Sequence, residues 1–171
     1  RMAMPTQPLR EEHRELFPHV EQLRLAADQV GEASSEATLR AVDEAHGFLV
    51  EHLIPHAQAE EAALYPVVGR AMGAPEATAT MRRDHAEIGR LTEELGALRA
   101  RLASGAFDES LERELRRVLY GLHALVALHF AKEEDVYLPL LDARLKAAEA
   151  AALFQDMEAA AEAAKRRAAA A

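Results

Sequence analysis

The sequence predicts an all-α protein, an up-down-up-down four-helix bundle with an additional C-terminal Ala-rich helix. Three observations carry this. Apolar residues recur at helical spacing almost throughout, with no run of alternating β-branched and polar residues. Helix stop and start signals divide the chain into four long pieces and a tail. The links are short, which favours antiparallel neighbours.

The elements follow in order. Residues 1–8 read as an N-terminal arm, 9–142 as the bundle, and 143–171 as a C-terminal helix or tail. The first helix is expected from about Leu9 to Val30, ending at Gly31. The second runs from about Glu36 to Gly69. The third follows "MGAP", with Pro75 suited to a first helical position, and stops near "ASG" at 103–105. The fourth begins after Asp108, a good N-cap, and reaches about Leu141. Residues 146–171 are Ala-rich, and alanine favours helix strongly. Leu153, Phe154 and Met157 give that segment an apolar stripe, for packing on the bundle or for a homodimer contact. Pro18 and Pro55 fall inside helices and should kink them.

Composition excludes several classes. The 171 residues, 50% of them apolar, suit one domain with a full core. Cysteine is absent, so disulfides, cysteine-ligated zinc and iron–sulfur clusters are excluded. That absence fits a reducing compartment, and a cytoplasmic location is expected. The opening "RMAMPTQPL" lacks an apolar leader core, and no apolar run is long enough to span a bilayer. The net charge of −9 argues against nucleic acid and anionic membranes as partners.

One frame is written twice. "HAQAEEAALYP" occupies 56–66 and "HFAKEEDVYLP" occupies 129–139; each has Glu-Glu at +4 and +5 and Pro at +10. Each copy is preceded by another histidine, His13 or His85, at nearly equal separation. The chain thus reads as two matching helical hairpins. Residues four apart share a helix face, so His56 points with Glu60 and His129 with Glu133. The following glutamates, Glu61 and Glu134, turn by about 100° and are expected to meet solvent. His13 shares its stripe with Leu16, Phe17 and Val20; His129 shares its own with Leu122, Leu125 or Val126. Four histidines and two glutamates therefore project into an apolar interior. Burying them is costly unless they are paired or ligate something. Imidazoles suit iron, zinc, copper and nickel, and a carboxylate can bridge two ions.

"EEHRELFPHVEQL", "HAQAEEAALYP", "RRDHAEIGRL" and "HFAKEEDVYLPLL" together resemble the hemerythrin-like family, the HHE cation-binding domains. The resemblance covers roughly residues 9–142. It implies a four-helix bundle around two iron ions, oxo- or hydroxo-bridged when oxidised. Carried over, His13, His56, His85 and His129 are the metal ligands, with Glu60 and Glu133 as ligating bridges. One departure stands out. The oxygen carriers of the family have HxxxH on the third helix, whereas Gly89 stands four residues after His85. The carriers also use a longer spacing to an Asp on the fourth helix. Fewer protein ligands leave more open positions for peroxide, oxygen or water, which suits turnover. A ferritin-like site is excluded, because no histidine here has a glutamate three residues before it.

Two further residues are candidates for the site. His52 lies one turn before His56, as an extra ligand, a hydrogen-bond donor to one, or a polar residue at the bundle's end. Tyr137 lies one turn after Glu133, to ligate iron, donate a hydrogen bond, quench a radical, or simply pack. Tyr65 falls on a different face and is read as structural; His19 and His123 are read as non-ligands.

The expected function is action on a small oxidant, with peroxide dismutation in the manner of a catalase or peroxidase leading. The alternatives are a non-catalytic sensor or binder of oxygen, nitric oxide or iron, and a metal-free helical interaction module.

Overall fold

A computed structural model describes residues 4–171. The first helix is Gln7–Gln29. The second is one continuous rod over 35–72. In it, α-helical segments Ser35–Phe48, Ile54–Ala59 and Tyr65–Met72 are joined by π-turns at Leu49–Leu53 and Glu60–Leu64. A single 3-10 turn, Pro75–Thr78, leads into the third helix, Ala79–Ala103. The fourth rod spans 109–144: Glu109–Lys132, a π-turn at Glu133–Tyr137, then Leu138–Arg144. The fifth helix is Ala147–Ala170. None of the helices among the described residues is long and apolar enough to cross a membrane.

The predicted punctuation holds with small shifts. Ser34 and Asp108 cap their helices, accepting from the amides of Ala37 (3.1 Å) and Leu111 (2.8 Å). Gly73 ends the second rod at φ 66°, a left-handed conformation that glycine adopts without steric cost. Pro75 opens the 3-10 turn, and the third α-helix proper begins at Ala79.

The interior prolines behave in two ways. The first helix passes through Pro18 without interruption. In the rods, each π-turn is followed two residues later by a proline: Leu53 by Pro55, Leu64 by Pro66, Tyr137 by Pro139. A proline ring clashes with the carbonyl four residues back and has no N–H to give it. The wider turn relieves both problems. The amide of the preceding residue reaches back five positions instead, Ile54 to Leu49, Tyr65 to Glu60 and Leu138 to Glu133. The helices stay continuous, and everything beyond each π-turn is rotated relative to a 3.6-residue register.

The first and third helices each pack between the second and the fourth, which gives the up-down-up-down ring. Two apolar clusters fill it. One, around Leu23, Leu95, Leu115 and Leu122, fills one end. The other, around Leu9, Leu64, Met81 and Leu138, fills the opposite end. The fifth helix lies along the second rod over Ile54–Leu64, and its Leu153 and Met157 join the second cluster. The stripe read from the tail is therefore buried within the chain itself.

Candidate metal centre

Between the two apolar clusters, the four histidines and two glutamates singled out in the sequence converge. Glu60 and Glu133 are fully buried; His13, His56 and His129 are at most 4% exposed, and the His85 side chain 7%. Within each HxxxE frame the pair meets as the spacing requires. His56 Nε2 lies 3.4 Å from Glu60 Oε1, and His129 Nε2 lies 3.3 Å from Glu133 Oε1. Across the bundle, Glu60 Oε1 is 3.3 Å from His85 Nε2 and 3.7 Å from His129 Nε2. His13 Nε2 lies 3.6 Å from Glu133 Oε1. The Nε2 atoms of His85 and His129 are 3.0 Å apart.

These atoms fall into two groups that share Glu60. One is His13, His56, Glu60 and Glu133; the other is Glu60, His85 and His129. The spacings suit ligands of an ion. Two donors at about 2.1 Å from one metal and at right angles lie about 3.0 Å apart.

The outer side of every histidine is held by a carboxylate. Nδ1 of His56 donates to Glu12 at 2.9 Å, and that of His85 to Glu61 at 3.2 Å. Nδ1 of His129 donates to Asp84 at 2.9 Å, and that of His13 to Glu134 at 2.8 Å. With its Nδ1 proton so committed, each neutral ring turns the Nε2 lone pair to the centre. The four bonds form a closed ring. The first helix serves the second, the second serves the third, the third the fourth, and the fourth the first.

Glu61 and Glu134 therefore do not simply face solvent, as expected from their 100° offset. That rotation aims them into the seam with the next helix. Arg10 ties Glu134 (2.6 Å) to Asp142 (3.1 Å), and Lys132 bonds Asp84.

The central atoms lack partners. Among the described residues, His13 Nε2, His56 Nε2, both Glu60 oxygens and Glu133 Oε1 are buried without a hydrogen bond. Native proteins rarely leave such atoms orphaned. Protonation is displaced accordingly. Burial disfavours the His56 cation, yet Glu60, Glu12 and Glu133 carry it up to about 9. Burial likewise opposes the His129 cation, and Glu133 with Glu60 raises it to about 10. His13 is shifted down, by burial and then by neighbouring His56. Burial and the charge of Glu60 push Glu133 well above the usual carboxyl range. Burial works against the Glu60 anion too, but His56 and the contacts with Glu133, His129 and His85 hold it well below. Without a metal, protons occupy the places of cations.

Two candidates fall elsewhere. His52 is exposed and packs over Phe48, ring centroids 6.5 Å apart. The π-turn at Leu49–Leu53 widens the step to His56, so a spacing of four no longer means a shared face. Tyr137 donates to the carbonyl of Ala77 at 3.3 Å, away from the centre. The tyrosine that does reach in is Tyr65, which had been read as structural. Its hydroxyl lies 3.2 Å from both His85 Nε2 and His129 Nε2 and donates to Glu133 Oε2 at 3.5 Å. The cause is the π-turn at Glu60–Leu64, in which residues five apart align, bringing Tyr65 over Glu60. The signal for it was Pro66. His19 stacks on Phe48 and His123 pairs with Glu21, both apart from the centre.

Phe130 stacks on His13 at 4.4 Å and meets His56 edge-on at 5.9 Å. Outside it, a groove of about 500 Å³ between the first and fourth helices reaches His13 and Phe130, with Phe17, Pro18 and Ala127 in its walls.

Fold and site together define a helical-bundle domain that gathers histidines and carboxylates to hold metal. The family profile of the hemerythrin HHE cation binding domain matches residues 4–113. The chain belongs to that family. The match ends before the second HxxxEE copy, so the fourth helix's share of the centre rests on geometry. None of the curated proteins or solved structures compared matches the chain.

Proposed function

We propose that the chain is a non-haem di-iron protein that disproportionates hydrogen peroxide. In this reading His13, His56, His85 and His129 would hold the ions together with Glu60, which both groups share, and Glu133. The observation that carries it is the set of five buried, partnerless donor atoms aimed at one space between four helices. A metal-free interaction module would have to carry that cost with nothing in return. The donors fit iron: imidazole nitrogens with carboxylate oxygens are the mixed set that iron accepts.

The reaction is balanced within its substrate. Two peroxide molecules give two waters and one dioxygen, one molecule being reduced and the other oxidised. Bound iron would supply the electron exchange between the two. The chain's residues do the rest. Four ring nitrogens and four carboxylate oxygens fall short of the roughly twelve positions of two six-coordinate ions, so places stay free for substrate. The outer carboxylates Glu12, Glu61, Asp84 and Glu134 fix each imidazole and its tautomer. Phe130 and the apolar clusters keep bulk water out. The groove beside His13 is wide enough for a small oxidant to approach.

The test uses the purified protein supplied with iron. About two irons per chain, with oxygen evolved from peroxide and lost in His129→Ala, supports the proposal. Two irons with no oxygen release overturns the peroxide reaction and favours a sensor of oxygen, nitric oxide or iron. No bound iron overturns the metal reading.

A further inference from the structure

This inference rests on the dinuclear reading above and concerns the ligands of one ion. The two metal places are unequally supplied. Four residues surround the first, His13, His56, Glu60 and Glu133, but only three surround the second, Glu60, His85 and His129. The third helix contributes a single histidine there, with Gly89 standing where its next turn would present another. Tyr65 reaches His85 and His129 from the opposite side, the side of Arg82.

We propose that the phenolate oxygen of Tyr65 is a ligand of the second ion, beside His85, His129 and Glu60.

The geometry supports this in three ways. The Tyr65 oxygen lies 3.2 Å from each of the two Nε2 atoms, which are themselves 3.0 Å apart. That triangle has the edges expected of three donors on one ion. Next, a phenol has one proton to donate, yet this one faces His85, His129 and Glu133. Both imidazoles already give their Nδ1 protons to carboxylates, so their Nε2 atoms are acceptors in the neutral form. One O–H cannot satisfy three acceptors, whereas a cation can bind all of them together. Last, the residue is held in place. Tyr65 is 1% exposed, its ring stacks on His85 at 5.4 Å, and the Arg82 guanidinium sits 5.5 Å over its face.

The second hairpin has no counterpart. The residue five after Glu133 is Leu138, buried in the second apolar cluster. The two ions would thus differ in their ligands. On binding, the bond from Tyr65 oxygen to the metal forms, the O–H bond breaks, and the proton leaves to solvent. No electron transfer is required.

The experiment combines metal analysis with visible absorption and resonance Raman on ferric protein. Wild type is expected to show a phenolate-to-iron charge-transfer band and enhanced phenolate vibrations. Tyr65→Phe should lose both while still holding iron; Tyr137→Phe should keep both. Bound iron without the phenolate signature in wild type overturns this proposal and leaves the di-iron reading intact. A signature that survives in Tyr65→Phe also overturns it. Absence of bound iron in wild type overturns both. Should Tyr65→Phe fail to fold, Tyr120→Phe and Tyr137→Phe decide the matter, because the chain has three tyrosines. A signature kept in both assigns it to Tyr65; one lost in either refutes the assignment.

Discussion

Glu12 immediately precedes His13 but serves a different histidine: its Oε1 lies 2.9 Å from Nδ1 of His56, on the next helix. The contact orients a ring whose other nitrogen faces the centre. Glu12→Gln keeps the shape and removes the charge. It is expected to weaken metal binding by about 10- to 100-fold with little change in helicity. Competition against a chelator of known affinity measures the loss; an unchanged affinity would show that Glu12 does not tune His56.

Metal should act as a stabiliser of the fold. The orphaned atoms of His13, His56, Glu60 and Glu133 gain partners only when an ion is bound, and the scattered ligands converge only in the native state. At free metal about a thousandfold above Kd, linkage adds about 4 kcal/mol. Calorimetry should show Tm rising with iron and falling after chelation, and His56→Ala should abolish most of that shift. A Tm insensitive to metal would count against the site.

The raised His56 and His129 values set the pH response. Without metal these groups titrate at about 9 and about 10. An ion needs both Nε2 lone pairs, so below those values it competes with protons. Apparent affinity should therefore climb between pH 6 and 9, by about tenfold per unit for each proton displaced. The metal-free fold responds with the opposite sign. Raised imidazole values stabilise it fully below about pH 6.5, and that contribution fades as pH rises through about 9. Titrations with metal and with urea at several pH values separate the two trends; a flat metal affinity would refute the first.

Arg10 joins the N-terminal end to the fourth helix through Glu134, Asp142 and the Thr6 hydroxyl. These contacts are half-buried, which tempers their worth. Arg10→Met is expected to cost about 1–2 kcal/mol of stability. It should also loosen Glu134 and, through it, His13, so metal affinity falls as well. Urea denaturation and metal titration on the same variant test both parts.

The fifth helix can be assayed by one side chain. Leu153 is 3% exposed and packs in the cluster with Leu9, Tyr65 and Val68. Leu153→Ala should cost about 2–4 kcal/mol in urea denaturation. A loss below about 0.5 kcal/mol would mean that the helix is not stably docked.

The fold and the inner cluster were legible because both rest on helical spacing. His56–Glu60 and His129–Glu133 are four apart, and each lies before or at the edge of its π-turn, where a 3.6-residue period still holds. Beyond the turn that period fails. It put Tyr137 on the site face and Tyr65 off it, whereas Tyr65 reaches the centre and Tyr137 packs in the second apolar cluster. The trace of it in the sequence is Pro66 and Pro139, whose rings the wider turn accommodates. His52 was misplaced for the same reason, with Pro55 as the sign. The outer carboxylates left a fainter trace. Each stands beside an inner residue, as in Glu12-His13, Glu60-Glu61, Asp84-His85 and Glu133-Glu134. Adjacency on one helix does not say which histidine on another helix a carboxylate will meet; that depends on how the helices pack.

The ring of outer carboxylates has a simple algebra. Glu12 to His56 and Asp84 to His129 run within a hairpin; Glu61 to His85 and Glu134 to His13 run between hairpins. Exchanging the hairpins leaves the pattern unchanged. Two copies of a single hairpin would close the same circle. At the centre the two halves differ at Tyr65 and Leu138. A self-paired hairpin would have to carry tyrosine on both sides or on neither.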